Sequence, residues 1–157
     1  MGMSQRQLLR RIDCQRITQA IIAAERKTSG EIRVSIARFF IGSVEITARR
    51  AFRRLGMRAT RQRNGVLIFL VPSRRRFVVL GDEGIHRKVG QKFWDKMVDA
   101  MSRKFRAEEF NDGLIAAIGE AGRKLAKFFP YRKGRDVNEL ADEIDFGSGR
   151  KRRTKKN

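Results

Sequence analysis

Cysteine, histidine, acidic residues and long apolar runs are all scarce in this sequence, and each scarcity excludes something. Cys14 is the only cysteine and His86 the only histidine. No internal disulfide can form, and no Cys/His cluster offers zinc ligands at the required spacing. This composition suits a reducing compartment. No apolar run approaches the ~20 residues a membrane helix needs. The opening Met-Gly-Met-Ser-Gln-Arg-Gln-Leu-Leu-Arg-Arg lacks the apolar centre of a signal peptide, so the expected address is the cytoplasm. Only 17 Asp and Glu stand against 37 Lys and Arg, giving a formal net charge of +20. Such a field attracts polyanions, nucleic acid or an anionic surface, and speeds encounter with them without dictating a fold.

What is present has the patterning of one α/β domain, and 157 residues are enough for a single core. Val66 to Val71 is an unbroken apolar run rich in β-branched and aromatic side chains, as expected for a strand covered on both faces, and Pro72 ends it. Phe77 to Leu80 reads as the returning strand of a hairpin. Upstream, Glu31 to Ala37 alternates with period two and predicts a strand, followed by a helix capped by Ser43 that carries Val44, Ala48, Phe52 and Leu55 inward. Strand, helix, strand from Glu31 to Val71 is a βαβ unit with parallel strands and a right-handed crossover. The hairpin adds an antiparallel third strand, making a small mixed sheet.

Four helices are expected in all. The first follows Asp13 as cap, with Ile12 and Ile17 placed as a hydrophobic staple, and the second is the helix after Ser43. The third runs over about Gln91 to Arg106, with Trp94, Met97, Met101 and Phe105 at helical spacing, and Ala107 to Asp112 connects it to the fourth, Leu114 to Phe128, stopped at Pro130. Residues 1–11 read as a loosely held arm and 12–146 as the domain. Val137, Leu140 and Ile144 suggest helical turns docking on it. Residues 147–157 form a basic tail with no apolar side chain to bury, expected to be disordered.

This topology gathers the starts of the two parallel strands and the end of the third on one rim. Asp82 and Glu83, between Gly81 and Gly84, then come near Glu31, with the oxygens of Asn64, Thr28 and Ser29 in support. Hard cations such as Ca²⁺ or Mg²⁺ want oxygen ligands on irregular backbone, which makes this rim a candidate metal site. The same Gly-Asp-Glu-Gly stretch also suits a plain turn in which Asp82 bonds its own backbone. A separate candidate is anionic. Arg49, Arg50, Arg53 and Arg54 stack at i,i+4 on the outer face of the second helix, a like-charge arrangement that a polyanion relieves, and Arg150, Lys151, Arg152 and Arg153 extend the basic surface into the tail. A solvated basic face explains the same residues. His86 has no identifiable nucleophile in a triad order, and no dinucleotide fingerprint is present.

The combination Thr28-Ser29-Gly30-Glu31-Ile32, Leu55-Gly56-Met57 with Thr60, Arg63-Asn64-Gly65-Val66-Leu67, Gly81-Asp82-Glu83-Gly84-Ile85, Phe93-Trp94, Gly113-Leu114, Phe129-Pro130 and Asn138-Glu139-Leu140 resembles the TPM domain family over about Ile12 to Ile144. The likeness is to its short, stand-alone bacterial members. It implies an α/β/α sandwich. It also implies binding of calcium or magnesium through acidic loops, with Asp82 and Glu83 carried over first and Glu31 third, and phosphatase activity like that described for plant lumenal members. The high positive charge and basic tail depart from that pattern, and the alternative is a non-enzymatic basic adaptor contacting nucleic acid or another anionic partner.

Overall fold

The fold is taken from a computed structural model of the chain, in which residues 2–131 and 143–147 are described. The expectations for Val137, Leu140 and the tail, Arg150, Lys151, Arg152 and Arg153 included, lie outside those residues.

Among the described residues the sheet has three strands, β1 (Glu31–Ile36), β2 (Gly65–Val71) and β3 (Arg76–Gly81), in the order β1-β2-β3. β1 and β2 are parallel, β2 and β3 antiparallel. Every residue of β2 is buried. Its alternate side chains feed two cores, which is why the run shows no polar alternation. Val66, Ile68 and Leu70 pack with Ile32, Val34 and Ile36 of β1 against one helical layer, while Leu67, Phe69 and Val71 meet the other. The result is the α/β/α sandwich.

The first layer consists of α1 (Gln5–Arg11), α2 (Cys14–Glu25), the short α4 (Glu83–Val89), α5 (Gln91–Arg106) and α6 (Phe110–Phe128), with Ile17, Ile21, Ile85, Trp94, Met101, Leu114, Ile118 and Leu125 turned inward. The second layer is α3 (Val44–Arg54) with the short turn Met57–Ala59, contributing Val44, Ala48, Phe52 and Met57. Caps expected from the residues are in place: the Asp13 carboxylate accepts from Arg16 N at 3.1 Å and the Ser43 hydroxyl from Ile46 N at 3.2 Å.

Two helices add to the four read from periodicity. Within the segment read as an arm, α1 starts with a reciprocal capping box between Ser4 and Gln7 and buries Leu8. The other, α4 (Glu83–Val89), occupies the stretch read as a turn and an irregular step, because Asp82 caps it and its Ile85 is fully buried. The fourth helix read from periodicity begins at Phe110, earlier than Leu114, since the chain turns at Glu108 with φ 59°. Ile144 does dock, at 7% exposure, but its segment is extended rather than helical.

That segment covers the free edge of β1. Asp145 N–H donates to Val34 O at 2.9 Å and Asp145 O accepts from Ile36 N at 2.8 Å, extending the ladder by one bridge. The Asp145 carboxylate is held at both oxygens by Arg54, at 3.0 and 2.7 Å, and by the Ser35 hydroxyl at 2.8 Å. Burial pushes this carboxyl up, but the Arg54 and Ser35 hydrogen bonds and the Arg54 charge bring it net below its ordinary value. A lowered carboxyl pKa stabilises the fold above the unfolded-state value, about 3.9, and that contribution is lost as pH falls through the folded value. Asp145→Asn is expected to lower stability by about 2 kcal/mol near neutrality and to flatten the loss of stability below about pH 4, measured by urea unfolding across pH.

Candidate functional site

Register brings the predicted rim together. Glu31 pairs with Gly65, Val66 with Gly81, and Asp82 N–H donates to Gly65 O at 2.9 Å. Glu31 and Asp82 therefore share one rim, but with β2 between them, about two strand spacings or ~10 Å along the sheet. The six residues then divide into two groups that do not meet.

On the β1 side lie Thr28, Ser29, Glu31 and Asn64. The Thr28 hydroxyl donates to Phe129 O and accepts from Gly30 N at 3.0 Å, tying the turn after α2 to the end of α6. Asn64 Nδ2 donates to the Ser29 hydroxyl at 3.2 Å, which in turn donates to Gln62 Oε1 at 2.7 Å. Asn64 N–H is accepted by the Thr60 hydroxyl at 3.2 Å, and Asn64 O receives Glu31 N–H at 3.4 Å. These side chains splice two loops together, and Thr28, Thr60 and Asn64 are buried, as is Glu31.

On the β3 side, Asp82 is already engaged. Arg63 Nε and Nη2 donate to its two carboxylate oxygens at 2.7 and 3.0 Å, and Oδ1 also accepts Glu83 N–H at 2.8 Å. The carboxylate is nearly buried, at 6% exposure, and the guanidinium a third exposed, at 35%. Hydrogen bonding to Asp82, then its charge, pushes the Arg63 guanidinium further up. Backbone geometry delivers Arg63 to this place. It sits at φ 51°, and its carbonyl accepts Gly84 N–H at 2.8 Å. Gly84 is required there, because a Cβ would stand 2.1 Å from Gln62 O and 2.7 Å from Arg63 O.

The donor set does not fit a divalent cation as it stands. Both Asp82 oxygens hold Arg63, the Glu83 side chain is 63% exposed and 4.0 Å from Arg87, and Glu31 belongs to the other group. Among the described residues no three His, Cys, Asp or Glu side chains come together as a metal-holding cluster.

Beside Asp82 opens a cleft of about 330 Å³ lined by Arg49, Arg53, Arg58 and Arg63 together with Phe52, Leu80, Glu83 and His86. Arg49 and Arg53 project from α3 one turn apart, and Arg58 comes from the short turn after it. None of Arg49, Arg53 or Arg58 makes an ion pair among the described residues. Arg54, grouped with them by helical spacing, is instead committed to Asp145, and Arg50 is exposed without lining the cleft. Spacing alone had no way to separate these four arginines, since all lie within one turn and a half of the same helix.

His86 is the residue that sequence reasoning left without a role. Trp94 Nε1 donates to His86 Nδ1 at 3.0 Å. An indole nitrogen only donates, so Nδ1 is the acceptor and the ring proton of the neutral histidine resides on Nε2. Nε2 is thereby a hydrogen-bond donor, with no lone pair to act as base or nucleophile. The eight-residue spacing of His86 and Trp94 was the available signal, but it reads only once α4 is known to end at Gly90 and turn into α5.

A family model described as the TPM domain matches residues 3–124. The fold is similar to the solution NMR structure of the BA42 protein from the psychrophilic bacterium Bizionia argentinensis, with 39% identity over 85% of this chain and 92% of that one and a TM-score of 0.78. The N-terminal domain of cg2496 from Corynebacterium glutamicum is 13% identical over 87% of this chain and 80% of that one, with a TM-score of 0.49. A search of curated proteins finds no match.

Removing Arg63 leaves a nearly buried carboxylate without its counter-charge, whereas removing both partners leaves neither group exposed to that penalty. Arg63→Gln is expected to lower Tm by several degrees, and Arg63→Gln with Asp82→Asn to recover much of the loss, read as a double-mutant cycle by calorimetry.

Proposed function

The chain belongs to the TPM domain family, and within that family we propose that it acts as a non-enzymatic basic module that binds the phosphates of nucleic acid in the arginine-lined cleft beside Asp82. The observation that carries this reading is the local charge balance. Three guanidinium groups, those of Arg49, Arg53 and Arg58, line the cleft without acidic partners among the described residues, and Arg63 has already neutralised the one buried carboxylate there. Guanidinium forks match phosphate oxygens in geometry as well as charge. His86, its Nδ1 held by Trp94, lines the same cleft.

The competing reading places Ca²⁺ or Mg²⁺ at Asp82 and Glu83, with Glu31 in reserve, and adds phosphomonoester hydrolysis. It is the weaker of the two on electrostatic grounds. A cation arriving at Asp82 has to displace Arg63 and then reside among four guanidinium groups, a cost that no third acid nearby offsets. Hydrolysis needs an activated nucleophile, and His86 in its Trp94-bound tautomer supplies none.

Phosphate binding by neutralising arginines has a salt signature. For a labelled single-stranded oligonucleotide, log affinity is expected to fall linearly with log salt, and Arg49→Gln/Arg53→Gln to reduce that slope by roughly 1.4, for two lost contacts of about 0.7 each. Fluorescence anisotropy across a salt series measures both. An unchanged slope in the double variant, or no binding at low salt, defeats the proposal. A saturable calorimetric heat with Ca²⁺ that Asp82→Asn abolishes favours the cation reading instead.

A further inference from the structure

The opposite rim of the sheet carries a feature that the arginine cleft does not explain. Between β1 and α3 the loop 37–43 exposes two large apolar side chains, Phe39 at 77% and Ile41 at 89%. Neither is loose. Ala37 N–H is bonded to Leu70 O at 2.8 Å at the root of the loop. Arg74, from the turn between β2 and β3, donates to Phe40 O at 2.6 Å and to Gly42 O, and its guanidinium carbon stands 4.6 Å from the centre of the Phe40 ring. The loop is thus braced with Phe40 turned inward and its two neighbours held out in water, a state that costs free energy unless something covers them.

The surroundings say what kind of surface can. Arg38 and Arg75 are exposed on the same rim, and the acids nearby, Glu45 and Asp145, are paired with Arg76 and Arg54. The described chain leaves this rim at Gly147, which lies against Arg38. The ten residues that follow contain six lysines and arginines and no acid. Apolar tips within a field of fixed positive charge suit the boundary of an anionic bilayer, where the apolar groups enter the acyl layer and the cations meet lipid phosphates. Base stacking is a poorer match, because Ile41 has no π face to offer.

We propose that this rim is a peripheral membrane-docking surface, in which Phe39 and Ile41 insert into an anionic lipid bilayer while Arg38 and Arg75 hold its headgroups. Two signals are combined because either alone is marginal: a pair of side chains buries little area, and charge alone is screened by salt. The surface is at the far end of β1 and β2 from the arginine cleft, so the two readings stand or fall separately.

The test uses the full chain with vesicles of phosphatidylcholine, alone and mixed with phosphatidylglycerol. Co-sedimentation is expected with the mixed vesicles only, weakening as salt is raised. Phe39→Ala/Ile41→Ala is expected to bind them at least about tenfold more weakly, with unchanged thermal unfolding and unchanged oligonucleotide affinity. Arg49→Gln/Arg53→Gln should retain vesicle binding. In Phe39→Trp, quenching by lipids brominated on their acyl chains reports insertion directly. Absence of binding to the mixed vesicles, equal binding by Phe39→Ala/Ile41→Ala, or an unquenched Trp at position 39 overturns the proposal. So does a Phe39→Ala/Ile41→Ala chain that loses the oligonucleotide and keeps the vesicles.

Discussion

Burial of β2 on both faces is the constraint from which the rest of this structure follows. A strand with no solvent face needs a helical layer on each side, and the two sets of its alternating side chains go to two separate cores. The layers are unequal. One is built from α1, α2, α4, α5 and α6, and the other from α3 and the turn after it. The thin layer leaves room beside α3, and the arginine cleft occupies that room. The edges are treated differently as well. Residues 143–147 add a bridge to β1, held by the Asp145 contacts with Arg54 and Ser35, so the side chain that fastens this cover is also the one withdrawn from the basic face of α3.

The electrostatic character of the rim at Asp82 turns on one ion pair. Taken by itself, Asp82 beside Glu83 is an acidic loop that invites a cation. With Arg63 bonded to both of its oxygens it becomes a neutral wall of a cleft whose remaining charges are mostly positive. The pair also has a structural duty, since the Asp82 carboxylate caps α4 through Glu83 N–H while Arg63 O receives Gly84 N–H. Loop 60–64, the end of β3 and the start of α4 are therefore one unit. The donor aspect of His86 is settled at a further remove, by Trp94 reaching back from α5.

Much of this was legible from residue order. The apolar run Val66 to Val71, the alternation from Glu31, the Asp13 and Ser43 caps and the stops at Pro72 and Pro130 are local signals, and the mixed sheet with its shared rim follows from them by connection rules alone. The helix α4 was hidden because Gly81-Asp82-Glu83-Gly84 has the composition of a turn, and what makes it helical is the burial of Ile85 and the capping by Asp82, of which only the second is local. In α1 the capping box spans a single turn, and the helix is held by contacts that Gln5 makes with Ile36 O and Phe146 O, far away in sequence.

By itself, then, the sequence determined the three strands, four of the helices, their order, the family and the excess of positive charge, because hydrophobic period, caps and composition are properties of neighbouring residues. Only the tertiary structure decided which charges are spent and which are free. Arg54 meets Asp145 across 91 positions and Arg63 meets Asp82 across 19, while Arg49, Arg53 and Arg58 meet no acid among the described residues. An ion pair forms wherever folding brings opposite charges within a few ångströms, and the strength of that encounter depends on distance and burial in space, which residue spacing along a chain does not encode.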